Sequence, residues 1–181
     1  VPTQKVEYKI PANEEPVFGI ITDKEATNSQ IEMLWRGEPL PKQLNNTDVA
    51  YMMDIVKTYI RVIMNERFND ITSKPDAPFF DAAFLEYQLN NVCNTTNGIV
   101  VFKDGGAIEA MTALMTEIEK MKRYGFNEGE VQRAKDNLIS YYEKAVEAAP
   151  TRKNSELVQP LLSNFFDNEA YMPPEMELQR I

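Results

Sequence analysis

The sequence predicts an α+β fold: a mostly antiparallel sheet with long helices packed on one face. Three observations carry this reading. Short apolar or alternating runs bounded by turn residues occupy 17–23, 30–36, 79–89 and 97–103. Those runs are joined in pairs by turn-like stretches, which predicts hairpins rather than parallel crossovers. Apolar residues recur at helical spacing from about 48 to 68, from 107 to 124, and again after 127 and 151. A chain of 181 residues suits one domain, 1–181, with an incoming linker or edge strand at about 1–13 and an exit linker at about 170–181.

The first stretch places Pro2, Pro11 and Pro16 around the alternating residues Val6, Tyr8 and Ile10, a pattern of linker or edge strand. "VFGIITD" (17–23) reads as a buried strand, and "QIEMLWR" (30–36) alternates Ile31, Met33 and Trp35 with polar neighbours. "KEATNS" between them has turn composition, so the two runs are expected to pair as a hairpin. "GEPLPKQLNN" follows as a loop. Thr47 or Asp48 can cap a helix in which Val49, Met52, Val56, Tyr59, Ile60 and Ile63 form one face, ending near Phe68. "SKPDAP" breaks that pattern. "FFDAAFLEYQL" and "NGIVVFK" are then strands, joined by "NNVCNTTN".

The helical pair that follows is the most strongly signalled part of the chain. Ile108, Met111, Leu114, Met115, Ile118 and Met121 share a face from about Ala107 to Tyr124. Glu109 stands near the start and Lys120, Lys122 and Arg123 near the end, as the helix macrodipole favours. Gly125 supplies the positive-φ residue that stops the helix. Asn127 caps the next one, with Glu130 in the capping-box position and Val131, Ala134, Leu138, Tyr141 and Ala145 along its stripe. A last helix carries Leu157, Val158, Leu161, Leu162, Phe165 and Phe166, with Pro160 expected to kink it.

Composition excludes several function classes. Net charge is −9 without a Lys/Arg cluster, which argues against nucleic acid as a partner. No apolar run approaches the ~20 residues of a membrane span. The chain has no histidine, which removes His-based triads and nearly every catalytic zinc site. The opening "VPTQ" and the ending "EMELQRI" read as a piece of a longer protein.

The candidate chemistry is sparse. Glu117, Glu119, Glu128 and Glu130 could be catalytic carboxylates, but Glu119 and Arg123 form an i,i+4 pair and Glu130 has a capping task. Cys93 lacks a histidine partner and is read as a plain thiol in a loop. "KDGG" (103–106) could hold an anion but lacks phosphate-loop spacing, so it is read as a turn. Asn45-Asn46-Thr47 and Asn94-Thr95-Thr96 match the glycosylation sequon, a pattern frequent by chance. Met111, Met115 and Met121 are read as core. On these grounds no catalytic, cofactor-binding or metal-binding residue is assigned.

"TEIEKMKRYGFNEGEVQRAKDNL" (116–138) resembles the signature of the insulinase/pitrilysin family of zinc metallopeptidases: a long helix, an aromatic-Gly-Phe hinge and an acidic second helix. "TDKEAT" (22–27), "IMNERF" (63–68) and "TRKNSELVQPLLSNFF" (151–166) resemble the same family in the same order, covering roughly residues 14–170. In that family an inverted His-x-x-Glu-His motif and a distal Glu hold zinc, and the motif Glu activates the attacking water. No position here can receive those roles. The resemblance therefore implies a non-catalytic, insulinase-like repeat of a larger zinc metalloendopeptidase, with zinc in the parent's catalytic repeat and none here. Its implied partners are other repeats of the same polypeptide and the parent's peptide substrate, which the repeats enclose in a chamber. Bacterial members imply a periplasmic or envelope location, with the cytoplasm as the alternative. Two rival readings stand beside it: a segment of an inactive relative serving as an assembly or processing subunit, and a free-standing binding domain.

Overall fold

A computed structural model describes residues 8, 10–89 and 92–181. Val6 and the rest of the first seven residues, together with residues 9, 90 and 91, lie outside the described residues, and with them part of the expected leading strand and of the loop before Val92. Among the described residues, three strands and five α-helices follow in the order β1 (Ser29–Gly37), α1 (Asp48–Thr72), β2 (Asp81–Leu89), β3 (Cys93–Phe102), α2 (Ala107–Tyr124), α3 (Glu128–Ala148), α4 (Asn154–Asp167) and α5 (Pro174–Arg180). They fall into two compact units, one of residues 1–39 and 64–125, the other of 40–63 and 126–181.

The first unit is an antiparallel sheet in the order β1-β3-β2 with α2 packed on β3 and β1. The central strand shows how the sequence sets the two faces. Val100 and Phe102 are buried on the side that meets the helices, where Gly98 lets Leu114 and Ile118 come within 3.2 Å of the place a Cβ would occupy. Phe68 and Phe79, both buried, meet edge to face at 6.3 Å. The C-terminal part of α1 closes one margin of the sheet. Asn65 accepts from the Phe84 backbone N–H at 2.8 Å and donates to its carbonyl at 3.1 Å, giving the outer edge of β2 the partners another strand would supply.

Three expectations are corrected here. Residues 17–23 form no strand: Val17, Phe18, Ile20 and Ile21 are all exposed, and β1 pairs with β3 instead of closing a hairpin on them. The run is apolar on both faces, so it takes a strand's form only where something covers both, and local sequence cannot supply that. Cys93 to Asn97 are ladder residues rather than loop, since Leu89 pairs with Cys93 and the connection shrinks to residues 90–92. Helix α1 runs four residues past Phe68, and its buried positions are Ala50, Ile63, Met64 and Phe68, whereas Val49, Met52 and Val56 of the expected stripe are exposed.

In the second unit α3 packs on α5. Asn127 and Glu130 make both halves of the capping box, at 3.0 and 2.8 Å, and Ala134 is fully buried one turn on. Tyr142, not Tyr141, turns inward. Helix α4 keeps Pro160 within it and ends at Asn168, whose φ of 58° is left-handed. Lys42 and Asn45 grip that end: Lys42 pairs with Asp167 at 3.1 Å and Asn45 donates to the Asp167 carbonyl at 2.8 Å, satisfying a helix terminus with a cation and an amide. The tail, expected as an exit linker or the start of another element, carries α5.

Candidate functional site

The carboxylates singled out from sequence serve the helices that carry them. On α2, Lys120 reaches Glu117 at 2.7 Å, while Lys122 and Arg123 converge on Glu119 at 2.8 and 3.2 Å. Hydrogen bonds from Lys122 and Arg123 hold the Glu119 carboxyl below the usual carboxylate range. Glu130 is buried in its capping role, and Glu128 sits exposed in the first turn of α3, where negative charge complements the dipole. Cys93 is buried in β3, its thiol directed to the Asn94 carbonyl at 3.4 Å. "KDGG" is a turn: Gly106 N–H bonds the Lys103 carbonyl at 2.9 Å and Gly105 takes φ 85°.

Two polar clusters lie elsewhere. On the sheet face away from α2, Asn97 is fully buried and donates to Glu32 at 2.5 Å and to the Tyr87 hydroxyl at 3.1 Å, leaving its Oδ1 without a hydrogen-bond partner. Thr95 beside it bonds the Tyr87 carbonyl at 2.9 Å. Leu34 and Leu85 flank Asn97 in register and are partly exposed, so this face mixes apolar rims with a polar centre. In the second unit Tyr51 donates to Glu177 at 3.2 Å, and Arg180 lies 4.8 Å over the Tyr51 ring and 3.5 Å from Asp48. Burial, then the neighbouring Glu177 charge, pushes the Tyr51 hydroxyl up to about 12, and burial raises Glu177 and Tyr142 as well. Sequence could have marked Asn97, a polar residue opening an apolar strand run. Tyr51 and Glu177 stand too far apart in the chain to be paired by pattern.

Two hollows indent the surface. One, of about 390 Å³, is walled by Arg67, Asp70, Lys74, Glu117, Lys120 and Tyr124 at the C-terminal ends of α1 and α2. Its cations are placed where helix carbonyls end, and Arg67 bonds the Gly125 carbonyl at 3.2 Å. The other, of about 500 Å³, is an apolar cleft along Val49, Met52, Met53 and Val56. Neither brings a nucleophile to a base.

A zinc centre of the peptidase kind needs three or four converging His, Cys or carboxylate ligands. The chain contains no histidine, and no three His, Cys, Asp or Glu side chains are grouped to hold a metal among the described residues. The donor set does not fit the ion.

No family model matches the sequence, and no curated protein matches it in sequence either. Among solved structures, the periplasmic protease PqqL from Escherichia coli superposes with a TM-score of 0.75 at 20% identity, over 87% of this chain and 17% of that one. The first half of PqqL gives 0.77 at 18% identity, covering 88% of this chain and 34% of the other. A predicted insulinase family protease from Yersinia pestis gives 0.68 at 12% identity, over 86% and 33%. The chain has the insulinase-like peptidase fold. That bears out the α+β architecture and the repeat-domain likeness drawn from the hinge motif. The chain spans only a sixth to a third of the proteases it resembles. No helix among the described residues is long and apolar enough to cross a membrane.

Proposed function

We propose that this chain is a non-catalytic domain of a larger zinc metalloendopeptidase of the insulinase/pitrilysin type, forming part of the wall of a peptide-enclosing chamber. One observation carries the reading: it reproduces the fold of one section of such proteases while containing none of the histidines their chemistry requires. Zinc and the activated water then belong to another repeat of the parent, and this domain contributes surface rather than bond-breaking. The sheet face bearing Leu34, Leu85, Tyr87 and the Asn97 centre suits that task, because it offers apolar contact with fixed hydrogen-bonding groups. The parent's compartment on this reading is the periplasm, which PqqL occupies.

The test is elemental analysis of the dialysed chain beside its full-length parent. The reading expects about one zinc per parent molecule and none per isolated chain. Stoichiometric, tightly held zinc on residues 1–181 alone overturns it.

A further inference from the structure

One apolar segment forms no strand, and one edge of the sheet has no strand neighbour among the described residues. Val17, Phe18, Ile20 and Ile21 are 82–96% exposed, an arrangement a chain in water does not keep without a partner for it. The segment is tied at both ends to the first unit: Arg36 donates to Asn13 before it, and Ser29 bonds Asp104 at 3.0 Å after it. Asp23 folds the intervening turn, accepting from Glu25 N–H at 2.9 Å.

The two margins of the sheet differ. The outer edge of β2 is engaged by Asn65, whereas β1 has β3 as its sole strand neighbour among the described residues. β1 holds neither proline nor lysine, and its two charged side chains are engaged elsewhere, Glu32 with Asn97 and Arg36 with Asn13. Beside it Leu34 and Trp35 remain 43% and 39% exposed, on opposite faces of the sheet. A strand apolar on both faces would complete this edge, and residues 17–22 have the sequence of one.

We propose that residues 17–22 are an exchange strand, each of two copies of this chain laying the segment along the free edge of β1 in the other. A two-fold axis makes the contact reciprocal. Backbone groups of β1 gain ladder partners, while Val17 and Ile21 cover one face of the margin and Phe18 and Ile20 the other. Burying the four side chains removes on the order of 100 Å² of apolar surface each. With the surface covered on the partner, the reciprocal contact enters the roughly 1,200–2,000 Å² range of specific interfaces. The inference is independent of the protease reading, because donor and acceptor lie within this chain.

Sedimentation velocity over a concentration series, paired with hydrogen exchange, tests it. The expected result is a monomer–dimer equilibrium in which amides of 17–22 and of β1 gain protection together as dimer forms. Phe18→Asp and Ile20→Asp should each weaken the dimer about tenfold or more. Both side chains are exposed in the single chain, so unchanged circular dichroism of the variants separates lost association from lost folding. A monomer at every attainable concentration overturns the proposal. So does a dimer indifferent to both substitutions, or protection at 17–22 that does not vary with concentration, which would mean the segment folds onto its own β1.

Discussion

Replacing Gly125 by alanine sets two effects of opposite sign against each other. Gly125 ends α2 with φ 67° and ψ −142°, a region in which an L side chain costs of order 1–3 kcal/mol. Nothing lies within 4 Å of the position a Cβ would take, so the cost is one of backbone conformation and not of collision. Alanine also restricts the unfolded chain, which favours folding by ~0.4–1 kcal/mol where the native φ is tolerated. The strain is the larger, and the net expectation is a loss of about 1–2 kcal/mol, with valine worse because β-branching narrows φ further. If the chain relaxes to escape the strain, it also disturbs the Gly125 N–H bond to the Met121 carbonyl at 2.9 Å and the Arg67 contact to the Gly125 carbonyl. Urea melts read this directly: with a slope of ~2 kcal/mol per molar, the midpoint should fall by about 0.5–1 M. A midpoint that stays or rises would refute the reasoning, because it would place Gly125 at negative φ and leave only the unfolded-chain benefit.

The remaining expectations follow from single contacts. Asn127→Ala removes the acceptor for the Glu130 N–H and should cost about 1 kcal/mol in the same melts; a neutral result contradicts the cap. Asn65→Leu strips both bonds from the Phe84 backbone and should cost about 1–3 kcal/mol, with faster amide exchange at Phe84 as its local signature. Glu177 contributes a pH dependence of its own. Burial raises its carboxyl, opposed by the Tyr51 hydrogen bond, so its contribution is fully present below the unfolded value near ~4.3 and is lost as pH rises through the folded value. Glu177→Gln keeps an acceptor for Tyr51 and should gain on the wild-type chain in thermal midpoint between acid and neutral pH; parallel curves would contradict this.

The legible parts of the fold are those settled within a few residues. The α2–Gly125–Asn127–Glu130 hinge depends on i,i+3 and i,i+4 geometry and one positive φ, so the spacing alone foretold its boundaries, its cap and the Glu119–Arg123 pair. Residues whose state depends on distant chain were misjudged. Val49, Met52 and Val56 have perfect helical spacing yet stand exposed, because periodicity tells which residues share a face and not whether that face is covered. Residues 17–21 failed for the same reason in strand form. Asn97 reversed the problem: its neighbours suggested the start of an apolar strand, but not that Glu32 and Tyr87 would close over a buried amide. Tyr51 and Glu177 meet across 126 positions, beyond the reach of any local pattern.

The chamber-wall account is tested most directly by peptide hydrolysis measured in pieces. Residues 1–181, the remainder of the parent chain, and the two mixed would each be assayed on one fluorogenic peptide. A domain that supplies surface without a metal-activated water should be inert alone, should bind the remainder, and should restore part of a chelator-sensitive activity. Chelator-insensitive cleavage by residues 1–181 alone would contradict the account, as would full activity of the remainder without them.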